Sequence, residues 1–276
     1  MKTTPIAFIG GGNMARSLIG GLIADDCDPN NMWVADPSAA QREALHNHFG
    51  VHVSATNIES AAKAKVVVLA VKPQVMREVA RQLAGTVQAA KPLVISIAAG
   101  VREPDLRHWL GGDIALVRTM PNTPALVGCG ATALFANPLV SDTQRQLAES
   151  IMRAVGLTVW LPDEDLLDAV TALSGSGPAY FFLIMEALEQ AGIRLGLTTE
   201  IARLLTLQTA FGAAKMALES TESPAALRAR VTSPGGTTER AIAILREGGL
   251  ETLFANALEA ARRRSQELGD LLGEKS

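Results

Sequence analysis

The stretch Ile6-Ala7-Phe8-Ile9-Gly10-Gly11-Gly12-Asn13-Met14-Ala15 sets the architecture of this chain. Four apolar residues make a short strand, and Gly10-x-Gly12-x-x-Ala15 turns it directly into a helix predicted over about 13–24. In that setting each small residue has a task. Gly10 permits the tight turn, Gly12 lets backbone approach a pyrophosphate, and Ala15 lets helix pack on strand. The helix start offers unpaired N–H groups and a partial positive charge to phosphate. Gly10, Gly11, Gly12, Asn13 and Met14 are therefore cofactor-binding candidates. A glycine-rich turn without a ligand is the plain alternative.

Outward from this turn, strand-like and helix-like segments alternate. A second strand is predicted at 32–35 and a helix from 38 to about 48. Val66-Val67-Val68-Leu69-Ala70 is a continuous apolar run, as in a strand buried on both faces. Residues 93–97 and 114–118 read alike. The alternation predicts an α/β domain with a Rossmann-type, doubly wound, mostly parallel sheet. Two further strands, around 131–135 and 157–161, close it. Past Pro162 only helices are predicted, over 166–173, 179–192, 199–217, 225–230, 238–246 and 250–268. The reading is a dinucleotide-binding domain at 1–162 and an all-helical substrate-binding and dimerisation domain at 163–276.

Within the helical part, Tyr180-Phe181-Phe182-Leu183-Ile184-Met185 is apolar on every side of a helix. Such a helix must be covered all round, and a small domain has trouble covering it alone. A subunit interface is the expectation, against a central helix of a monomeric bundle.

Asp36 ends the second strand, where an acid hydrogen-bonds the adenosine ribose and favours NAD over NADP. Ser38 and Arg42 follow closely and could reach a 2′-phosphate, and Asp36-Pro37-Ser38 also suits a plain turn and helix cap. NADPH and NADH both stay open.

Composition narrows the function classes. With 48% apolar and 19% charged residues the chain supports a sizeable core. A formal charge of −3 argues against a nucleic-acid partner. Arg262-Arg263-Arg264, the one basic cluster, reads as a helix surface. Cys27 and Cys129 form no CxxC pair, which excludes a disulfide framework and a cysteine zinc site. The start of the chain lacks a signal-peptide cleavage pattern. The longest apolar run of the C-terminal half, 179–185, is too short for a bilayer. A soluble cytoplasmic protein with no membrane partner is expected. His46, His48 and His52 read as a solvated helix end, so no metal site is expected.

Five segments together resemble the pyrroline-5-carboxylate reductase family. They are Ile9-Gly10-Gly11-Gly12-Asn13-Met14, Leu69-Ala70-Val71-Lys72-Pro73-Gln74, Arg118-Thr119-Met120-Pro121-Asn122-Thr123-Pro124, Ala172-Leu173-Ser174-Gly175-Ser176-Gly177-Pro178-Ala179-Tyr180 and Thr232-Ser233-Pro234-Gly235-Gly236-Thr237-Thr238. The resemblance implies hydride transfer from NAD(P)H to the C=N carbon of 1-pyrroline-5-carboxylate, giving L-proline. It implies homodimers with interlocked C-terminal domains, assembled in many members into a decamer. It also implies that Asn57, Ala70, Val71, Lys72 and Pro73 line the cofactor site and that Glu164 lies near substrate. Read from the residues alone, Ala70 to Pro73 is a strand end with a proline stop, and Glu164 an ordinary acid opening a helix. Two positions depart from the pattern: the acid at Asp36, and Arg230 where an uncharged polar side chain is expected near the cofactor.

The late glycine loop carries the substrate chemistry. Backbone N–H groups of Gly235, Gly236, Thr237 and Thr238, at a helix start, can hold a carboxylate, and the Ser233 hydroxyl can add a bond. Thr238 is the candidate catalytic group, placed at the imine nitrogen. A cyclic imine can arrive protonated, so no strong acid is required. A helix-capping loop is the alternative for the whole segment. Ser174-Gly175-Ser176-Gly177-Pro178 reads equally as an approach path for nicotinamide or as tight helix packing. The rival functions are a 3-hydroxyacid dehydrogenase or imine reductase on the same scaffold, and a dinucleotide-sensing protein without turnover.

Overall fold

The computed structural model describes residues 2–273. The chain opens with β1 (Ile6–Ile9), α1 (Asn13–Ala24), β2 (Met32–Ala35), α2 (Ala39–Phe49), β3 (His52–Ser54), α3 (Asn57–Ala61), β4 (Val66–Leu69) and α4 (Pro73–Ala90). It continues through β5 (Leu93–Ser96), α5 (Glu103–Trp109), β6 (Leu116–Met120), β7 (Gly130–Ala136), α6 (Asp142–Arg153) and β8 (Gly156–Trp160). All eight strands form one sheet in the order β3-β2-β1-β4-β5-β6-β7-β8. β1 to β6 are parallel, β7 runs antiparallel to β6, and β8 is parallel to β7. The order reverses between β1 and β4, the switch point outside whose carboxyl ends ligands bind in such sheets.

The strand period of two divides the core. Phe8, Val34, Val66, Val68 and Ile95 pack on one face with Leu18, Ile19 and Leu22 of α1 and Ile151 and Met152 of α6. Ala7, Ile9, Val67, Leu69 and Val94 pack on the other with Met76, Ala80 and Leu83 of α4 and Leu106 of α5. Each fully buried Val, Leu or Ile contributes about 1.5–3 kcal/mol. The unbroken apolar run of β4 is explained by its having no solvent side.

β3 was not expected. It spans three residues, too few for any alternation to register, and it takes His52 out of the predicted helix end. The His52 ring stacks on Trp33 of β2 with centroids 5.1 Å apart, while Nδ1 of His46 lies 3.0 Å from the Val51 carbonyl oxygen.

Beyond β8 the chain is helical: α7 (Leu166–Val170), a π-helical turn (Thr171–Gly175), α8 (Gly177–Arg194), α9 (Thr199–Glu219), α10 (Pro224–Arg230), α11 (Thr237–Glu247) and α12 (Leu250–Leu272). The last strand of the sheet ends at Trp160. The first compact unit runs on to Ser176 and takes back the chain from Ala260 onward; the second is Gly177–Glu259. Polar contacts hold the last turns of α12 on the first unit. The Ser265 hydroxyl donates to Asp168 Oδ1 at 2.5 Å, Arg102 pairs with Asp270 at 2.9 Å, and Arg77 donates to the Leu272 and Gly273 carbonyls at 3.2 and 3.0 Å. The last is a cation on the free carbonyls of a helix end.

In the second unit α8 packs along α9 and leaves Phe181, Phe182 and Leu183 62–65% exposed. Averaged over 18 residues rather than counted as an unbroken run, the stretch Leu166–Arg194 is long and apolar enough to cross a membrane, with 17% of those 18 residues buried. The unbroken run 179–185 is shorter because polar residues interrupt it, and a mean tolerates them. Either way this surface needs a cover.

Candidate active site

β1 and β4 end side by side, and their loops touch. Ala70 N donates to the Ile9 carbonyl and Gly10 N to the Ala35 carbonyl, both at 2.8 Å. Gly10 has φ +100°, and a Cβ there would lie 2.7 Å from the Ala70 carbonyl oxygen. The turn thus seats against Ala70-Val71-Lys72-Pro73, where Lys72 caps α4 and Pro73 is its first residue. Gly11 is gripped from both sides: its N–H donates to Asp36 Oδ2 at 2.9 Å, and its carbonyl accepts from the Gln41 side chain. Gly12 caps α1 and has open space where a Cβ would stand. That is the approach a pyrophosphate needs, beside the first amides of α1. Asn13 is exposed there, and Met14 is half-buried against the core. Asn57 opens α3 beyond the carboxyl end of β3. The sequence-derived cofactor candidates therefore lie on the loops at the carboxyl ends of β1, β2, β3 and β4, and these loops fit a dinucleotide.

Ala99 and Gly100, in the loop after β5, were not among the candidates. With Pro73, Ser176, Ser265 and Leu268 they contribute to a cavity of about 430 Å³, within the usual size range of small-molecule sites. Their signal was the strand end at Ser96, by the same rule that marked Ala70.

In the second unit Gly236 caps α11, and Gly235 has φ +72°, a conformation that favours glycine. The loop is tied to itself. Gly235 N donates to Glu239 Oε2 at 2.7 Å and Gly236 N to the Ser233 carbonyl at 3.0 Å. Two of the four amides assigned to a carboxylate cradle thus have internal partners. Thr237 and Thr238 are the first two helical residues, whose N–H groups have no intrahelical acceptor. Ser233, Thr237 and Thr238 are exposed. Nearby, Arg230 pairs with Glu222 at 2.8 Å, and that hydrogen bond raises the guanidinium above its ordinary value.

Glu164 lies in the first unit. Its Oε1 accepts from the Arg118 guanidinium and, at 2.6 Å, from Glu103 N, the first amide of α5. The carboxylate ties β6 to a helix start, where negative charge is favoured.

Comparison with known proteins follows the same division. The family described as pyrroline-5-carboxylate reductase dimerisation matches residues 164–268, and NADP oxidoreductase coenzyme F420-dependent matches 5–100. The pyrroline-5-carboxylate reductase of Pseudomonas aeruginosa is 52% identical over 99% of this chain and 100% of its own. This chain belongs to the pyrroline-5-carboxylate reductase family. Among solved structures, the Coxiella burnetii pyrroline-5-carboxylate reductase superposes with a TM-score of 0.93 at 53% identity, over 96% of this chain and 98% of its own. The Plasmodium falciparum pyrroline carboxylate reductase, solved with NADP bound, gives 0.86 at 30% identity, over 98% and 99%.

For this reductase-family chain the Arg118–Pro124 motif acquires a structural role. Asn122 Nδ2 donates to the Ser174 carbonyl at 3.1 Å, and its Oδ1 accepts from Ala131 N at 2.9 Å. The Met120 methyl fills the space a Cβ on Gly175 would need. The motif braces the π-helical turn, whose Thr171 and following Ser176 line the cavity. Asn122→Ala removes two hydrogen bonds and is expected to destabilise by about 1–3 kcal/mol. Urea denaturation checks this; an unmoved midpoint removes the brace.

Proposed function

We propose that this chain reduces the C=N bond of 1-pyrroline-5-carboxylate with NAD(P)H, forming L-proline. Full-length similarity to named reductases carries the reading, and the open Gly12 face and the α11 start support it. When bound, the reduced nicotinamide supplies the hydride. The amides of Thr237 and Thr238, with the Ser233 hydroxyl, hold the substrate carboxylate and so fix the ring. The imine nitrogen carries its own proton and donates it in a hydrogen bond to the Thr238 hydroxyl oxygen, so the electron pair released onto nitrogen as the C–H bond forms meets no charge barrier. Orientation and electrostatics are the protein's contribution.

Subunits pair through the apolar helices of 164–268, interlocked and assembled further into a decamer, and a partner subunit rather than lipid covers Phe181, Phe182 and Leu183. The enzyme works in the cytoplasm, which two free cysteines suit. A hydroxyacid dehydrogenase of this build places a lysine on the first interdomain helix, and α8 contains none.

Initial rates with 1-pyrroline-5-carboxylate and with 3-hydroxyisobutyrate test the assignment. Turnover of the second substrate alone overturns it, and turnover of neither leaves the sensing protein. Thr238→Ala should lower kcat/KM about 10- to 150-fold, the loss of one hydrogen bond to a charged group at about 1.5–3 kcal/mol. Unchanged kinetics take Thr238 out of the site.

A further inference from the structure

We infer that this chain selects the cofactor without a 2′-phosphate, NADH over NADPH, and that Asp36 sets the choice. The inference rests on the dinucleotide site proposed above and deepens it.

Asp36 is held on all sides. The preceding carbonyl, Ala35 O, accepts from Gly10 N, and Asp36 N donates to the Ser54 carbonyl at 3.2 Å. Its backbone is thereby locked between the glycine turn and β3. The carboxylate is locked too: Oδ2 accepts from Gly11 N and Oδ1 from Ser38 N, both at 2.9 Å. Each oxygen of an ionised carboxylate has a second lone-pair site. The group can still accept from the 2′- and 3′-hydroxyls of a ribose placed over the turn, as acids at this strand end do. A 2′-phosphate has no proton to offer and brings close to two negative charges against a fixed one.

Part of what would welcome a phosphate is already engaged. The start of α2 is a natural anion site, but Ser38 N is bonded to Asp36, and the Ser38 hydroxyl accepts from Gln41 N at 3.3 Å. Arg42, the guanidinium of that helix, donates through Nη1 to the Asp36 and Pro37 carbonyls at 2.7 and 3.0 Å. Across the β2–β3 edge sits a second carboxylate, Glu59, bonded to the Ser54 hydroxyl at 2.5 Å. A 2′-phosphate would therefore meet acids and a guanidinium turned onto backbone.

Calorimetric titration of the full chain with ADP-ribose and with 2′-phospho-ADP-ribose tests this without turnover. ADP-ribose should bind at least about tenfold tighter, about 1.4 kcal/mol. Asp36→Ser should weaken ADP-ribose and strengthen the phosphorylated fragment, so that the ratio falls at least tenfold. Asp36→Asn, which keeps the shape and loses the charge, should fall between. KM values for NADH and NADPH should shift in the same sense. Equal or tighter wild-type binding of the phosphorylated fragment overturns the inference and leaves the reductase reading intact. A ratio that stays put in a folded Asp36→Ser protein also overturns it. Binding of neither fragment sinks the dinucleotide site itself. Should Asp36→Ser fail to fold, the wild-type ratio still decides.

Discussion

Arg118→Met is expected to destabilise the first unit by about 3–5 kcal/mol, the usual cost of stranding one member of a buried ion pair. Arg118 lies in β6 with its side chain 9% exposed, and its partner Glu164 is 18% exposed. Without the guanidinium, Glu164 keeps, among the described residues, the Glu103 amide, one neutral bond for a charge largely out of water. The double variant Arg118→Met, Glu164→Leu removes both charges and should recover most of the loss, since a well-packed apolar pair is often as stable as the ion pair it replaces. Trp33, Trp109 and Trp160 all belong to the first unit, so tryptophan fluorescence in urea reports its unfolding directly. A single-variant cost below about 1 kcal/mol would mean that water reaches the pair. The same variants test the substrate contact that family resemblance implied for Glu164. If its task is to tie β6 to α5, Glu164→Gln lowers the unfolding midpoint and leaves KM for the imine unchanged.

Gly10→Ala should weaken dinucleotide binding by at least about a hundredfold, roughly 2.7 kcal/mol, and with it reductase activity. The added methyl meets backbone, the Ala70 carbonyl oxygen at 2.7 Å and its carbon at 2.9 Å, and backbone cannot swing aside as a side chain can. The residue also holds φ +100°, which costs an L-residue about 1–2 kcal/mol before any clash. Relief requires the β1 turn to lift from the Ala70–Pro73 loop, which moves the Gly12 face and the first amides of α1. Fluorescence titration with NADH measures the effect. A variant that binds normally would mean that the cofactor does not use this turn.

Much of the architecture could be read from residue order. β1, β2 and β4 announce themselves through apolar runs ended by glycine, Asp36 or Pro73, and a strand must bury such a run. The five family segments pointed to the reductase reading through residue types at fixed spacing, which needs no coordinates. β3 escaped because three residues make no pattern. The membrane-length hydropathy of 166–194 escaped because an unbroken run was counted where a mean was needed.

The site residues divide along the same line. Glycine at position 10 and a cap at Gly236 follow from local backbone geometry, which neighbouring residues carry. Two other facts do not: that Glu164 answers Arg118, 46 positions away, and that Asp36 accepts from the amide of Gly11, 25 positions away. Composition and spacing limit which groups can pair. Which distant pairs form depends on where the sheet order brings them, because a hydrogen bond is worth something only within about 3 Å, a distance that only the folded chain sets.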